Sequence, residues 1–323
     1  MRGRQGWERL VAPPSRNLTG VDGAAGSASA SSSMAEQRAF NPLVQGSTPW
    51  GRTGPHKSGT TWQAVGMGTN ISVSRSGSVA TVTLDNAAKR NALALDVMLE
   101  VTDALKEIAR SDALGVILAA DGPVFSAGHN FGDMAGASFD EARDLLEVCT
   151  TMMNTIQQMP QVVIARVHAL ATAAGCQLVA SCDLAIAAET AGFALPGGKG
   201  GLFCHTPLVA VARQIGRKRA LEMAMTGDVV DAATAVDWGL INRAVPEAEL
   251  DEAVNDLMTR ATRGSAASKA MGKRAFYAQV DLDQPKAYAY AMEVMAAGVV
   301  TPDGQEGIAS FLEKRRPDFR QPG

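Results

Sequence analysis

Three short runs, GVILAA at 115–120, VVIARV at 162–167 and LAIAA at 184–188, are apolar at almost every position. A strand with two apolar faces must be covered on both, so such runs belong inside a sheet packed by helices. The stretches between them change period. Residues 95–110 place Met98, Val101, Leu105 and Ile108 on one helical face, and residues 139–159 form a second amphipathic pattern closed by Pro160. Buried strands alternating with helices predict an α/β fold with a largely parallel sheet. Ahead of them, NISVSRSGSVATVTLDN has two alternating runs flanking Ser76-Gly77-Ser78, which predicts a β-hairpin. After about Ala248 the pattern is helical only, through ELDEAVNDLMTRA, KAMGKRAFYAQV and GIASFLEKRR. Leu257, Met258, Phe276, Met292 and Met295 in that tail are expected to be covered by a partner subunit. No repeat of solenoid length is visible.

Two strand-to-loop junctions carry the chemistry. GPVFSAGHNFGDM, at 122–134, follows the first buried run, and HALATAAGCQL, at 168–178, follows the second. Small residues leave the backbone open where a strand ends and a helix can begin. N–H groups at a helix start attract negative charge. Two of them converging on one carbonyl oxygen would form an oxyanion hole. Close helix–strand packing asks for the same small residues, so either loop alone leaves both readings open. No phosphate-binding GxxxxGK[ST] motif is present, and PGGKGG at 196–201 has the wrong spacing.

Composition removes several classes. The 323 residues carry a net charge of −3, which gives no reason to expect a nucleic acid or an anionic membrane as partner. Arg166, His168 and Gln177 interrupt the longest apolar stretch before it reaches membrane-spanning length. The four cysteines, Cys149, Cys176, Cys182 and Cys204, form no CxxC pair and no metal-ligand spacing, as expected for reduced thiols. Residues 1–69 are rich in Gly, Ser, Pro and Ala and are expected to be disordered. Their Arg-rich, acid-poor start fits a mitochondrial transit peptide. Met34 and Met67 are alternative starts that would make the segment an upstream extension of a cytoplasmic protein, which is the reading taken. The expected division is therefore 1–69 extension, 70–249 core and 250–323 helical oligomerisation region.

FSAGHNF, at 125–131, and HALATAAGCQLVASCDLAIA, at 168–187, resemble the crotonase (enoyl-CoA hydratase/isomerase) superfamily. DNAAKRNAL, at 85–93, and DGQEGIASFLEKRRPDF, at 303–319, extend the resemblance in the family's order from about Asn70 onward. It implies a spiral of repeated ββα units and a C-terminal helical region that assembles a homotrimer, or a hexamer as a dimer of trimers. It implies a CoA thioester as ligand, with no further cofactor and no metal. Carried over, the oxyanion N–H groups fall on His129 and Ala174. The substrate loop becomes Ala127, His129, Asn130, Phe131 and Gly132. Lys89 and Arg90 fall where family members reach towards the CoA phosphates, although the usual Arg-Pro ahead of them is absent. Phe319 matches a tail aromatic that lies near the CoA of a neighbouring subunit.

The sequence departs from the hydratases at their two glutamates, which fall on Gln177 and Gly197. Loss of one acid–base group costs roughly 10²–10⁴-fold in rate, and here both carboxylates are missing. Glutamates restored at both positions are expected to raise hydration. His205 falls where some isomerases and dehalogenases of the superfamily place an Asp; the alternative is a surface or interface histidine. Cys204 beside it invites a Cys/His nucleophile reading, against that of a buried thiol acting as a small hydrophobe. Asp133 reads as a solvated residue or helix cap. Two functions follow. One is an acyl-CoA enzyme that stabilises an enolate-type intermediate, for isomerisation, decarboxylation, thioester hydrolysis or weak hydration. The other is a non-catalytic acyl-CoA-binding homologue.

Overall fold

The structure, a computed structural model, describes residues 70–319. The expected extension, 1–69, lies outside the described residues. Strands β1 (Ile71–Ser76) and β2 (Val79–Leu84) form the expected antiparallel hairpin, with Ser76 opposite Val79. Its two-residue turn uses Gly77 at φ +58°, the left-handed conformation such turns require. Helix α1 (Leu95–Ala109) buries Met98, Val101, Leu105 and Ile108, the predicted face. Strand β3 (Gly115–Ala120) is buried throughout. Helix α2 (Phe139–Gln158) starts at a Ser138/Glu141 capping box and stops before Pro160.

The chain then runs through β4 (Val162–Val167), β5 (Ala171–Thr172), α3 (Ala174–Ser181), β6 (Leu184–Ala188), β7 (Gly192–Ala194) and α4 (His205–Ile215). Next come α5 (Arg217–Thr226), β8 (Val230–Asp231), α6 (Ala232–Trp238) and β9 (Arg243–Val245). A six-stranded sheet has the order β1-β2-β3-β4-β6-β9 and a three-stranded sheet the order β5-β7-β8. From β2 onward the large sheet is parallel. The segments β4–β5–α3 and β6–β7–α4 repeat one order of long strand, short strand and helix. Their long strands pair in the large sheet and their short strands in the small one.

Side chains alternate across the large sheet, as the period of two dictates. Val116, Leu118, Val163 and Ala165 face one core, with α1 and α2. Ile117, Ile164 and Ile186 face a second core, with Leu250, Val254 and Met258 of α7 (Leu250–Thr262). This corrects the assignment of Met258 to a subunit interface. Its side chain is 1% exposed and its sulfur lies against Gly115 of the same chain. Leu257 packs, half-buried, on the same cluster. The remaining helices are α8 (Ala266–Gln279), α9 (Gln284–Val299) and α10 (Pro302–Leu312). Phe276, Met292 and Met295 on α8 and α9 are exposed, unlike the two residues of α7.

Helix α8 is fastened to the core by a buried ion pair. Lys273 Nζ donates to Asp183 Oδ2 at 2.6 Å and to the carbonyls of Ile156 and Gln161, each at 2.7 Å. Tyr277 Oη donates to Asp183 Oδ1 at 2.9 Å, and the Val163 N–H to Oδ2 at 2.7 Å. Burial pushes Asp183 and Lys273 each towards its neutral form, and their mutual attraction and hydrogen bond oppose that. Among the described residues no helix is long and apolar enough to cross a membrane.

Candidate active site

The loop that leaves β3 is zipped onto the segment that leads into α3. The N–H groups of Phe125 and Ser126 both donate to the Leu170 carbonyl, at 2.9 and 3.3 Å, and the Thr172 N–H returns to the Ser126 carbonyl at 2.9 Å. Two glycines set how closely the segments approach. A Cβ on Gly128 would lie 2.9 Å from the Ala173 Cβ and 3.1 Å from the Ala174 nitrogen; one on Gly175 would lie 2.5 Å from the Ser126 carbonyl oxygen. The close-packing reading of the small residues is what these distances show. Tight packing needs them, and that packing brings the backbone around His129 against the start of α3.

Ala174 is the first residue of α3, so its N–H has no acceptor one turn back. Ala173, just before it, adopts φ 49° and ψ −118°, a conformation that costs a residue with a Cβ about 1–3 kcal/mol. The N–H of Ala173 itself is held by the Ala194 carbonyl at 2.9 Å. His129 forms a parallel bridge with Leu93, in which Leu93 N–H donates to Gly128 and Asn130 N–H donates to Leu93. Those bonds use the residues on either side of His129 and leave its own N–H facing away from Leu93. Among the described residues neither the His129 nor the Ala174 N–H donates a hydrogen bond. Two such donors can together stabilise an oxyanion by a few kcal/mol.

A third segment braces the pair. Asn91, 1% exposed and left-handed at φ 49°, donates through Nδ2 to the carbonyls of Asp121 and Val124, at 2.7 and 3.0 Å. Ser126 Oγ donates to the Asn91 carbonyl at 2.8 Å and accepts from the Gly128 N–H at 3.2 Å. Neither residue stood out in the sequence, because hydrogen bonds to distant backbone leave no periodic pattern. Lys89 and Arg90, on the same segment, are exposed, and the Arg90 carbonyl accepts from the Ala127 N–H at 3.0 Å. Asn130 is used within its own turn, accepting from the Gly132 N–H at 3.1 Å and donating to Asp133 at 2.9 Å. Phe131 and Gly132 are open to solvent. Asp133 is a helix cap: its Oδ2 accepts from the Leu95 N–H at 2.9 Å, at the start of α1, where Ala94 has no side chain to do so.

Gln177 lies three residues beyond Ala174 on α3, is 5% exposed, and has its Oε1 buried without a hydrogen-bond partner. His129 likewise has both ring nitrogens buried without a partner. Burial pulls its pKa below the ordinary 6.5, against weaker opposing effects of the Leu93 backbone and the Asp133 charge. A ring whose pKa is lower in the folded chain than in the unfolded one gives a definite sign. The stability contribution of His129 is fully present above pH 6.5 and is lost as pH falls through that value towards the folded-state pKa. Denaturation midpoints at pH 7.5 and 5.5 should therefore differ less in a His129→Asn chain than in the native one.

Gly197 begins a tight turn in which the Leu202 N–H returns to its carbonyl at 2.9 Å. A Cβ there would run into the Leu202 carbonyl oxygen and stand 2.8 Å from Cys204 Sγ. The slot for a side chain at this position is filled by backbone and sulfur. This packing leaves no ready room for the second of the two glutamates that were expected together to raise hydration. Burial raises the pKa of the Cys204 thiol, which opposes a nucleophilic thiolate. His205 is exposed, starts α4 and lies 5.1 Å, centroid to centroid, from the Phe203 ring. Among the described residues Cys204 and His205 make no hydrogen bond to each other. Phe319 packs its ring against Gly307 of its own chain.

The sequence pattern of the enoyl-CoA hydratase/isomerase family matches residues 74–322. The chain belongs to that family. It is 41% identical to human enoyl-CoA hydratase domain-containing protein 3, mitochondrial, over 74% of this chain and 80% of that protein. A probable enoyl-CoA hydratase of Mycobacterium tuberculosis is 32% identical over 77% of this chain and 97% of its own length. Among solved structures, an enoyl-CoA hydratase of Mycobacterium smegmatis superposes with a TM-score of 0.75 at 42% identity, covering 78% of this chain and 99% of that one. Human enoyl-CoA hydratase domain-containing protein 3 gives 0.73 at 39% identity, covering 77% of this chain and 99% of that one. The α/β fold and its helical C-terminal region are thus those of the enoyl-CoA hydratase/isomerase family.

Proposed function

We propose that this family member binds acyl-CoA thioesters with the thioester oxygen between the N–H groups of His129 and Ala174, and stabilises the enolate or tetrahedral oxyanion that forms there. The observation that carries this reading is the pair of unused N–H groups on two segments packed glycine to backbone. Negative charge developing on the oxygen would be met by donors already in place, so little reorganisation is needed at the moment of reaction. Gln177 can donate or accept a hydrogen bond but cannot take a proton from water at neutral pH. Hydration by paired carboxylates is therefore disfavoured; decarboxylation, in which the departing CO2 leaves its electron pair to the enolate, needs no base at 177, whereas isomerisation or thioester hydrolysis would need a proton acceptor from another residue. The exposed Lys89 and Arg90 would meet the CoA phosphates.

The alternative, an acyl-CoA-binding homologue without turnover, is favoured by the amide at 177 and the filled slot at 197. One experiment separates them. The protein is incubated with a panel of acyl-CoAs, products are identified by mass, and crotonyl-CoA is followed by loss of its enoyl thioester absorbance. Hydration roughly 10²–10⁴-fold slower than an ordinary hydratase is expected, with turnover of some other thioester. Binding without any product would decide for the homologue. Fast hydration would require another base, with His205 the first to replace.

The repeated β4–β5–α3 and β6–β7–α4 order supports a ββα spiral. Tyr288, Met292, Met295, Phe311 and Leu312 stay largely exposed on α9 and α10, apolar side chains that a partner subunit could cover. This supports assembly as a trimer or hexamer, which light scattering would report. The names of the vertebrate relatives favour the mitochondrial alternative over the cytoplasmic one.

A further inference from the structure

We infer that Ala173 is a positioning residue whose methyl group, held in a strained backbone conformation, fixes both the aim of the Ala174 N–H and the seat of the His129 segment. The inference rests on the oxyanion reading above and names the group that keeps the two donors in place. Ala173 adopts φ 49° and ψ −118°. These are the angles of the first central residue of a type II′ turn, where glycine is the rule because a Cβ collides with neighbouring backbone. Arg90, also at positive φ, has ψ 38°, in the left-handed helical well that L-residues do enter. Ala173 lies outside that well. Glycine would take the same angles without strain, so the chain carries a cost that loss of one methyl would lift.

The backbone is pinned on each side of this residue. The Ala173 N–H donates to the Ala194 carbonyl at 2.9 Å, and its carbonyl accepts from the Gln177 N–H at 3.0 Å. Strain of this kind persists only where the surroundings over-determine the conformation. Between the two pins, ψ of residue 173 sets the direction of the Ala174 N–H, because that N–H belongs to the peptide that ψ turns. Glycine has a broad permitted range around such angles, and a Cβ shrinks it to a narrow island. The methyl therefore limits how far the first donor can swing. It also stands against the other segment. A Cβ on Gly128 would lie 2.9 Å from the Ala173 Cβ and 3.0 Å from the Thr172 carbonyl oxygen, which leaves room for a hydrogen and nothing larger. Gly128 immediately precedes His129, whose N–H is the second donor. One methyl thus acts on both segments, and an oxyanion site depends on donors fixed before the charge develops. Among the described residues no hydrogen bond draws either N–H into place, so steric contact has to do so.

The test binds butyryl-CoA, isotope-labelled at its thioester carbonyl, to the native chain, Ala173→Gly and Ala173→Ser, and reads the carbonyl stretch by difference infrared spectroscopy. A hydrogen-bonded carbonyl absorbs at lower frequency than a free one, so the downshift reports how well the donors are aimed. Calorimetry with CoA lacking an acyl group, and thermal melting without ligand, complete the measurements. Ala173→Gly should melt about 2–4 °C higher than the native chain, because the strain is relieved. It should bind CoA as the native chain does, while its carbonyl downshift falls to about half. Ala173→Ser keeps a Cβ and should retain the native downshift while melting no higher. A gain in stability paired with a loss of carbonyl polarisation is what a merely structural methyl would not give. A native downshift in Ala173→Gly, or a loss in Ala173→Ser as large as in the glycine variant, would overturn the inference. So would a lower melting temperature of Ala173→Gly, the mark of a methyl kept for packing alone. A native chain that binds the labelled thioester without any downshift, or fails to bind it, would instead remove the oxyanion reading itself.

Discussion

A Gly197→Glu chain should lose about 3 kcal/mol of stability and gain no hydration activity, whether alone or with Gln177→Glu. Gly197 does not adopt a positive φ, so glycine is required here for space and not for backbone conformation. The obstacles are the Leu202 carbonyl, held in place by its own turn, and Cys204 Sγ, 2.8 Å from where the Cβ would be. Sulfur on a side chain can be moved or trimmed; the carbonyl can move only if the turn opens. Even Gly197→Ala should therefore destabilise measurably, and adding Cys204→Ala should recover only part of the loss. Urea denaturation of these four chains, with crotonyl-CoA hydration followed in parallel, provides the check. A doubly glutamate-substituted chain that melts normally and hydrates quickly would show that the turn yields and that this account of the site is wrong.

Lys273→Met should cost about 3–5 kcal/mol, the usual penalty for removing one partner of a buried ion pair. The substitution leaves the Asp183 carboxylate uncompensated and takes a donor from the carbonyls of Ile156 and Gln161. Asp183→Asn added to it should restore part of the stability. The buried charge is then gone, and the asparagine oxygen can still accept from the Val163 N–H, which now donates to Asp183 Oδ2, with the amide NH2 turned towards Tyr277 Oη, a hydroxyl that can accept as well as donate. Denaturation midpoints for the two single variants and the double one test this non-additivity. A double variant less stable than Lys273→Met would mean that the pair matters through shape and not through charge.

The periodic elements could be read directly from the residues. The hairpin around Gly77, the buried face of α1 and the stop of α2 before Pro160 follow from local rules that act over a few residues. The two loops could also be found, because small residues at strand ends are visible in any sequence. Strands β5 and β8, two residues each, are too short for periodicity to register. Asp133 could be proposed as a cap, but not as the cap of α1, whose start lies 38 residues earlier.

By itself, then, the sequence determined the class of fold, the order of its longer strands, of helices α1 and α2 and of the helical tail, the two small-residue segments that follow buried strands, and the absence of carboxylates at 177 and 197. Tertiary structure alone decided what each apolar or polar group faces. The spacing of Leu257 and Met258 shows that α7 has an apolar face, but not that the face lies on the chain's own sheet. Asp183 finds Lys273 across 90 residues, and Gly197 meets Leu202 and Cys204 in a turn with no periodic signature. Local propensity follows from the chemistry of neighbouring residues. The partner of a buried charge, and the room left beside a glycine, depend on distances between segments that only the closed chain defines.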